Sequence, residues 1–254
     1  MFNFLHSFLP SPVLLDLGFI KVHWYGLIMA GAFFVCSLTL ARLSRLNKSQ
    51  LIDLAFWLII FGLVGARIWH ILFYNLSYFL DKPVEIVKIW NGGLAIHGAI
   101  AAGFPVVYLF SRKRQLNFFK LTDALVVVLP LGQAIGRWGN YFNQELYGRA
   151  CDFSWCLPIA GQPGYWHPVF LYESLLNLIL FILLLFWFKL DRLPLRALTF
   201  MYLLGYSIIR FSMEFLRLDI VSTCWGLNWL QWLCLALTAV SGFFLLKLLP
   251  KRAL

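Results

Sequence analysis

Long apolar runs separated by short polar clusters set the pattern of this chain. Runs of about 18 or more apolar residues read as membrane-spanning helices. The pattern predicts seven, over about residues 22–40, 51–74, 93–110, 118–136, 168–188, 197–216 and 227–249. Pro10 and Pro12 break any helix in residues 1–21, which are expected at an interface. Residues 75–92 carry Asp81, Lys82, Glu85 and Lys88 and suit a short amphipathic surface helix. Residues 137–167 are polar and aromatic and are expected as an outer-side loop segment carrying part of a site. The expected fold class is all-α: a polytopic membrane protein, one integral domain over 1–254, with seven transmembrane helices and a small extracytoplasmic segment.

Composition agrees with that medium. The 254 residues are 61% hydrophobic, 18% aromatic and only 13% charged, with a mean hydropathy of +0.80. Soluble domains are roughly 25% charged. The formal net charge of +10 does not point to nucleic acid, because the basic residues fall in clusters between apolar runs. Arg42, Arg45 and Lys48 follow the first run, Arg112, Lys113 and Arg114 the third, Lys189, Arg192 and Arg196 the fifth, and Lys251 and Arg252 the last. By the positive-inside rule these ends face the cytoplasm, which puts the C-terminus inside and the N-terminus outside. The opening MFNFLHSFLPSPV has no basic stretch and no small-residue cleavage site, so no removable signal is expected.

The polar residues inside or beside the runs carry the chemistry. An ionised group in hydrocarbon costs about 2.5–3.5 kcal/mol on insertion scales, so it persists when paired, hydrated or functional. Arg67 and His70 fall in the outer half of the second run, and His97 about one turn below the outer end of the third. Arg137, Asn140, Asn143 and Glu145 follow the fourth, and Tyr172 and Glu173 open the fifth. Arg210, Glu214 and Arg217 stand at i, i+4 and i+7, one helix face. These residues gather in one leaflet. Arg210 and Glu214 also suit a self-neutralising pair, and Arg149 and Arg217 suit snorkelling to headgroups. Asp53 and Asp123, at the opposite ends, read as caps or inter-helix hydrogen-bond partners.

Two or more arginines facing one cavity suit a phosphate, since guanidinium stays charged and binds oxygens as a fork. At that depth the available phosphate is a phospholipid headgroup. A histidine near neutrality can move a proton. There is no HExxH, paired CxxC, GxSxG or P-loop, so metal catalysis, serine hydrolysis and nucleotide binding are disfavoured and no cofactor is expected. GQAIG (132–136) has small residues four apart and suits close packing against a neighbouring helix.

Six ordered blocks then carry a resemblance: HWYG (23–26), GAR (65–67), GGLAIHG (92–98), GRWGNYFNQELYG (136–148), HPVFLYE (167–173) and RFSMEFLR (210–217). The chain resembles the prolipoprotein diacylglyceryl transferases of bacterial inner membranes over most of its length. The resemblance implies transfer of the diacylglyceryl group of phosphatidylglycerol to the lipobox cysteine thiol of preprolipoproteins, with release of glycerol phosphate. It implies catalytic roles for His97, Arg137 and Arg210, with His97 matching the family's proposed base. Tyr25, Asn140, Glu145, Gly148 and Glu214 match residues on which the family relies, and Arg67, Asn143 and Arg217 join them as candidate substrate contacts. The implied partners are phosphatidylglycerol, lipobox peptides and the bilayer. The segment from Gly148 to His167 is short for the family, which implies a reduced outer domain. Cys151 and Cys156 in that segment are open to two readings, a disulfide on an oxidising face or two free thiols.

Two other classes compete. A small transporter would place its charges near the bilayer midplane, on broken helices in related halves. A phospholipid-binding membrane protein without activity would keep the same residues.

Overall fold

The structure is a computed structural model, described here for residues 6–18, 21–44, 46–218 and 223–248. Residues 1–5, Arg45 and the C-terminal Lys251 and Arg252, which enter the sequence expectations, lie outside the described residues. The chain divides into two compact units. One comprises Met1–Leu40 and Asp123–Leu254, the other Ala41–Thr122.

Eight α-helices of six residues or more occur among the described residues: α1 (Trp24–Leu43), α2 (Lys48–Tyr74), α3 (Leu76–Asp81), α4 (Ile96–Lys113), α5 (Phe118–Asn143), α6 (Val169–Leu190), α7 (Ala197–Glu214) and α8 (Trp229–Leu248). Five of them, α1, α2, α5, α6 and α8, are long and apolar enough to cross a membrane. The other two of the seven expected spans are helical over 18 residues each. They are more polar: α4 ends in Arg112 and Lys113, and α7 carries Arg210 and Glu214. Large apolar side chains such as Leu27, Phe34, Phe56, Phe73, Ile182 and Phe243 point outward. In a multi-pass membrane protein that surface faces acyl chains, where its exposure carries no penalty.

In the first unit, small residues set the helix approach. Gly132, Gly136 and Gly139 form a stripe on α5, and α1 lies on it. A Cβ added at these positions would meet Cys36 Sγ at 3.0 Å, Met29 Sδ at 3.3 Å and Tyr25 Cδ2 at 2.6 Å. The expected packing role of GQAIG is thus observed, and its partner is α1. The stripe also corrects a boundary. Gly136 does not end the helix: α5 continues to Asn143, so residues 137–143 are helical and not part of a loop. Gly205 plays the same part where α7 meets Leu180 of α6. Phe200 of α7 stacks on Phe244 of α8, ring centroids 4.9 Å apart.

Buried polar groups tie these helices together. Ser174 donates to the Ala134 carbonyl at 2.8 Å, and Gln133 Nε2 to the Tyr202 hydroxyl at 2.9 Å. Asp123, buried, accepts from the Arg196 and Thr199 amides and from the Thr199 hydroxyl at 2.6–3.0 Å. It therefore caps the start of α7 from another helix, the partner role expected of it.

Three two-stranded antiparallel ribbons add to the helices: β1 (Val13–Asp16) with β2 (Lys21–His23), β3 (Leu157–Pro158) with β4 (Tyr165–Trp166), and β5 (Thr223–Cys224) with β6 (Leu227–Asn228). The first ribbon leads directly into α1. The α5–α6 connection begins at Gln144 and folds over its own core of Tyr141, Leu157, Ile159 and Phe170. Cys151 and Cys156 are joined in a disulfide there, which selects pairing over two free thiols.

In the second unit, α2 packs along α4. Gly65 and Gly98 meet so closely that a Cβ on Gly65 would stand 2.5 Å from the Gly98 carbonyl oxygen. Asp53 forms an ion pair with Arg114, an inter-helix partner as expected. The segment after α2 forms the short helix α3 and two 3-10 turns, Pro83–Ile86 and Ile89–Asn91. The charged residues expected on that helix lie at its end and in the turns.

Candidate functional site

The site is built at one end of the first unit, where α5, α6, α7 and α8 present polar side chains together. The last turns of α5 supply Arg137, Asn140 and Asn143. The backbone then reverses sharply: Gln144 and Leu146 take positive φ angles of 53° and 56°, and the Glu145 amide returns to the Asn140 carbonyl at 3.1 Å. This turn folds Glu145 back over the helix end. Its carboxylate accepts from Asn140 Nδ2 at 2.8 Å and Asn143 Nδ2 at 3.4 Å. Asn140 Oδ1 in turn accepts from Arg137 Nη1 at 3.4 Å.

Gln144 holds the reversed turn in place. Its side chain donates to the Pro10 carbonyl at 2.5 Å and accepts from the Ala160 amide at 2.7 Å. A shallow recess opens between these walls, lined in part by Asn140, Glu145, Leu146, Ile159 and Phe170. Gly148 sits where no side chain fits: a Cβ there would come within 2.8 Å of His167, Leu216 and Val169 atoms. Its backbone pairs with Arg217 in an isolated antiparallel bridge, and the Arg149 amide donates to the Leu216 carbonyl at 2.9 Å. The α5–α6 connection is thereby fastened to the chain just past α7.

Glu173, in the first turns of α6, is the centre of the ionic network. Its side chain is 2% exposed and pairs with Arg137 Nε through Oε2 and with Arg210 Nη1 through Oε1, the latter at 3.0 Å. Arg210 Nη2 reaches Glu214 at 2.8 Å, one turn along α7. Glu214 also accepts from Asn228 Nδ2 at 3.0 Å. Asn228 and Gln231 cap α8 reciprocally, at 2.9 and 2.8 Å. The chain of contacts therefore runs Glu145, Asn140, Arg137, Glu173, Arg210, Glu214, Asn228. Arg210 does pair with Glu214 as the i, i+4 spacing suggested, but it is not self-contained, because Glu173 joins it to Arg137.

Of the residues picked from the sequence, Tyr25, Arg137, Asn140, Asn143, Glu145, Gly148, Arg210, Glu214 and Arg217 belong to the first unit. Tyr25 lies with its ring against Gly139, in the same helical turn as Arg137 and Asn140. Arg67 and His97 belong to the second unit. Arg67 is buried and donates to five backbone carbonyls, those of Glu85, Ile86, Lys88, Gly92 and Gly93, at 2.5–3.4 Å. Its guanidinium also lies 4.9 Å from the Phe79 ring centroid. This geometry holds the loop before α4 and does not support a substrate contact. His97 stands in the first turn of α4, 6.0 Å from Trp69 by ring centroids.

Glu173 and Asn228 were not among the residues picked as site residues. Glu173 closes the HPVFLYE block and had a visible signal, an acid at the head of an apolar run. Asn228 had none, since it acts through a cap whose meaning depends on the turn before α8. Among the described residues no three His, Cys, Asp or Glu side chains are grouped to hold a metal ion.

A bundle of apolar helices with an ionic network around a buried carboxylate at one end defines a multi-pass membrane protein. A family model described as prolipoprotein diacylglyceryl transferase matches residues 12–247, and the chain belongs to that family. The chain is 43% identical over 226 residues to the phosphatidylglycerol–prolipoprotein diacylglyceryl transferase of Synechococcus elongatus, covering 83% of this chain and 78% of the relative. It is 40% identical over 225 residues to the protein of that name from Thermosynechococcus vestitus, covering 84% of each. It is 41% identical over 226 residues to the one from Trichormus variabilis, covering 83% and 80%.

Proposed function

We propose that this chain is a transferase that moves the diacylglyceryl group of phosphatidylglycerol to the lipobox cysteine thiol of preprolipoproteins, releasing glycerol phosphate. The observation that carries the proposal is the pair Arg137 and Arg210, brought to one carboxylate at the end of the bundle in a chain of this family.

The chemistry follows from the groups present. The peptide thiol loses its proton, and the sulfur attacks the glyceryl carbon that bears the C–O–P bond. The carbon–oxygen bond breaks, its electron pair leaves with the phosphate, and a thioether forms. The thiol needs help, because free cysteine has a pKa of about 8.5. His97 takes that proton in this reading. The departing phosphate gains negative charge, which Arg137 and Arg210 stabilise with donors already in place. Tyr25, Asn140, Asn143, Glu145, Gly148, Glu214 and Arg217 shape the binding of lipid and peptide.

The same reading completes the membrane arrangement. α4 and α7 also cross, giving seven spans, since Arg210 and Glu214 of α7 are paired within the site and Arg112 and Lys113 stand in the last turn of α4. The N-terminus lies outside, the C-terminus in the cytoplasm, and the site opens toward the outer leaflet of the inner membrane.

The test is a reaction with purified protein, phosphatidylglycerol and a lipobox peptide. Diacylglyceryl-peptide and glycerol phosphate should appear in equal amounts. Lipid binding without either product would leave a phospholipid-binding protein and sink the transferase reading.

A further inference from the structure

Glu173 bridges both arginines of the site, yet the reaction as written gives it no task. A carboxylate shared by two guanidiniums has the same shape of contact that a phosphate would make. It cannot be the ligand's stand-in by accident of exposure, because it is the most deeply buried member: its side chain is 2% exposed, against 12% for Arg210 and 21% for Arg137. Arg137 Nη2 and Arg210 Nε are not spent on Glu173, Asn140 or Glu214. A carboxylate so buried is stable only while its partners stay, and removing one partner of such a pair is costly. Glu173 and the arginines therefore fix one another.

Glu173 also sets charge. The network holds three carboxylates, Glu145, Glu173 and Glu214, against two guanidiniums. In formal charge it is already offset before any lipid arrives. Without Glu173 the two arginines would attract a phosphate more strongly, both as substrate and as product.

We propose that Glu173 is a positioning residue that holds Arg137 and Arg210 as a single two-pronged anion receptor and moderates its charge, so that phosphate is gripped at transfer and let go afterwards. This deepens the transferase reading and rests on it. The backbone supports such a rigid mount: Asn177 Nδ2 donates to the Glu173 carbonyl at 2.7 Å, and Glu214 is fixed from the α8 cap by Asn228.

The experiment compares the full-length wild type, Glu173→Gln and Glu173→Asp in detergent with phosphatidylglycerol and a lipobox peptide. Gln keeps the volume and loses the charge. It should lower kcat by about 10–100-fold, the scale of a small misplacement of catalytic groups. KM for phosphatidylglycerol should be unchanged or lower, and inhibition by added glycerol phosphate stronger. Asp keeps the charge and should recover part of kcat. A raised KM with wild-type kcat, or a kcat within twofold of wild type, would overturn the assignment. Should Glu173→Gln fail to fold, the Asp variant decides alone: its kcat must fall with KM preserved. A wild type without transfer would overturn the transferase reading itself, whereas an active wild type with an indifferent Glu173→Gln overturns only the role of Glu173.

Discussion

Two sets of arginines divide this molecule, and they use the same side chain in opposite ways. Arg67 in the second unit spends its guanidinium on five neutral carbonyl oxygens of one loop. Arg137 and Arg210 in the first unit give theirs to side-chain oxygens: Glu173 takes both, Asn140 also takes Arg137 and Glu214 also takes Arg210. A guanidinium saturated by carbonyls has no fork left for an anion, and its charge serves to pin backbone. One that is held from beneath by an acid is oriented while its remaining donors stay available. The identity of the acceptors separates the two.

The widest separation should come from alanine at each position. Arg137→Ala and Arg210→Ala should each cut transfer by about 10²–10³-fold, the loss seen when a preorganised charge-stabilising donor is removed, while the protein still inserts. The measurement is product formation by purified variants with equal recovery from membranes. Full activity in either variant would take that arginine out of the site.

Arg67→Ala should act next most strongly, and on stability first. It removes five hydrogen bonds and leaves buried carbonyls of the Glu85–Gly93 loop without a donor. At about 1–3 kcal/mol for an unsatisfied buried group, shared among partly hydrated carbonyls, the net loss should be about 2–4 kcal/mol. Thermal unfolding in detergent and proteolysis within residues 82–93 would report it. A variant as stable and as protease-resistant as wild type, but unable to bind phosphatidylglycerol, would return Arg67 to the substrate site and break the contrast.

His97 sharpens the comparison because it follows the loop that Arg67 staples. Gly93 has a φ of 75° and packs on Arg67 and His70, and Gly98 packs on Gly65. His97 is thus delivered from a fixed backbone. His97→Gln keeps a polar side chain and loses proton transfer. Transfer should slow by about 10²-fold near neutral pH, within the range of general base catalysis, with thermal stability close to wild type. A near-normal rate would demote His97 to packing, and an unstable variant would assign it to the staple.

Much of this arrangement was legible before the fold was known, and the failures share a cause. Helix existence followed from apolar runs, and Asp53 and Asp123 were readable as partners because an acid near a helix end needs one. The seven-residue extension of α5 was missed because Gly136 and Gly139 look like breakers. In lipid they are contact surface, and only the position of α1 reveals it. Arg67 and Arg137 look alike in sequence, since carbonyl acceptors are backbone and carry no residue signature. Glu173 was visible as an acid, but its role depends on two arginines from other helices, one 36 residues before it and one 37 after. The β1–β2 ribbon was unreadable for a related reason: its pairing is mostly backbone, and Pro10 and Pro12 spoke only against a helix.

The smallest effect should come from the disulfide, which lies beside the first-unit network without belonging to it. Cys151 follows the bridge of Ala150 with Trp166, and the Cys156 carbonyl accepts from His6 Nδ1 at 3.1 Å. The bond closes a loop with a sequence separation of 5. So short a loop restrains little unfolded-chain entropy, about 2 kcal/mol on the chain-entropy model. The α5–α6 connection has other fastenings: the Gly148 and His167 amides join it to its own far strand, and the Arg149 amide to the chain past α7. A Cys151→Ser, Cys156→Ser double variant should therefore lose a few degrees of thermal stability and keep transfer within about threefold, since the chain of contacts from Glu145 to Asn228 runs without it. Loss of transfer at full stability would mean that the connection, and not only the arginine–carboxylate network, shapes the reacting geometry. That result would extend the contrast between stapling and binding groups into the first unit itself.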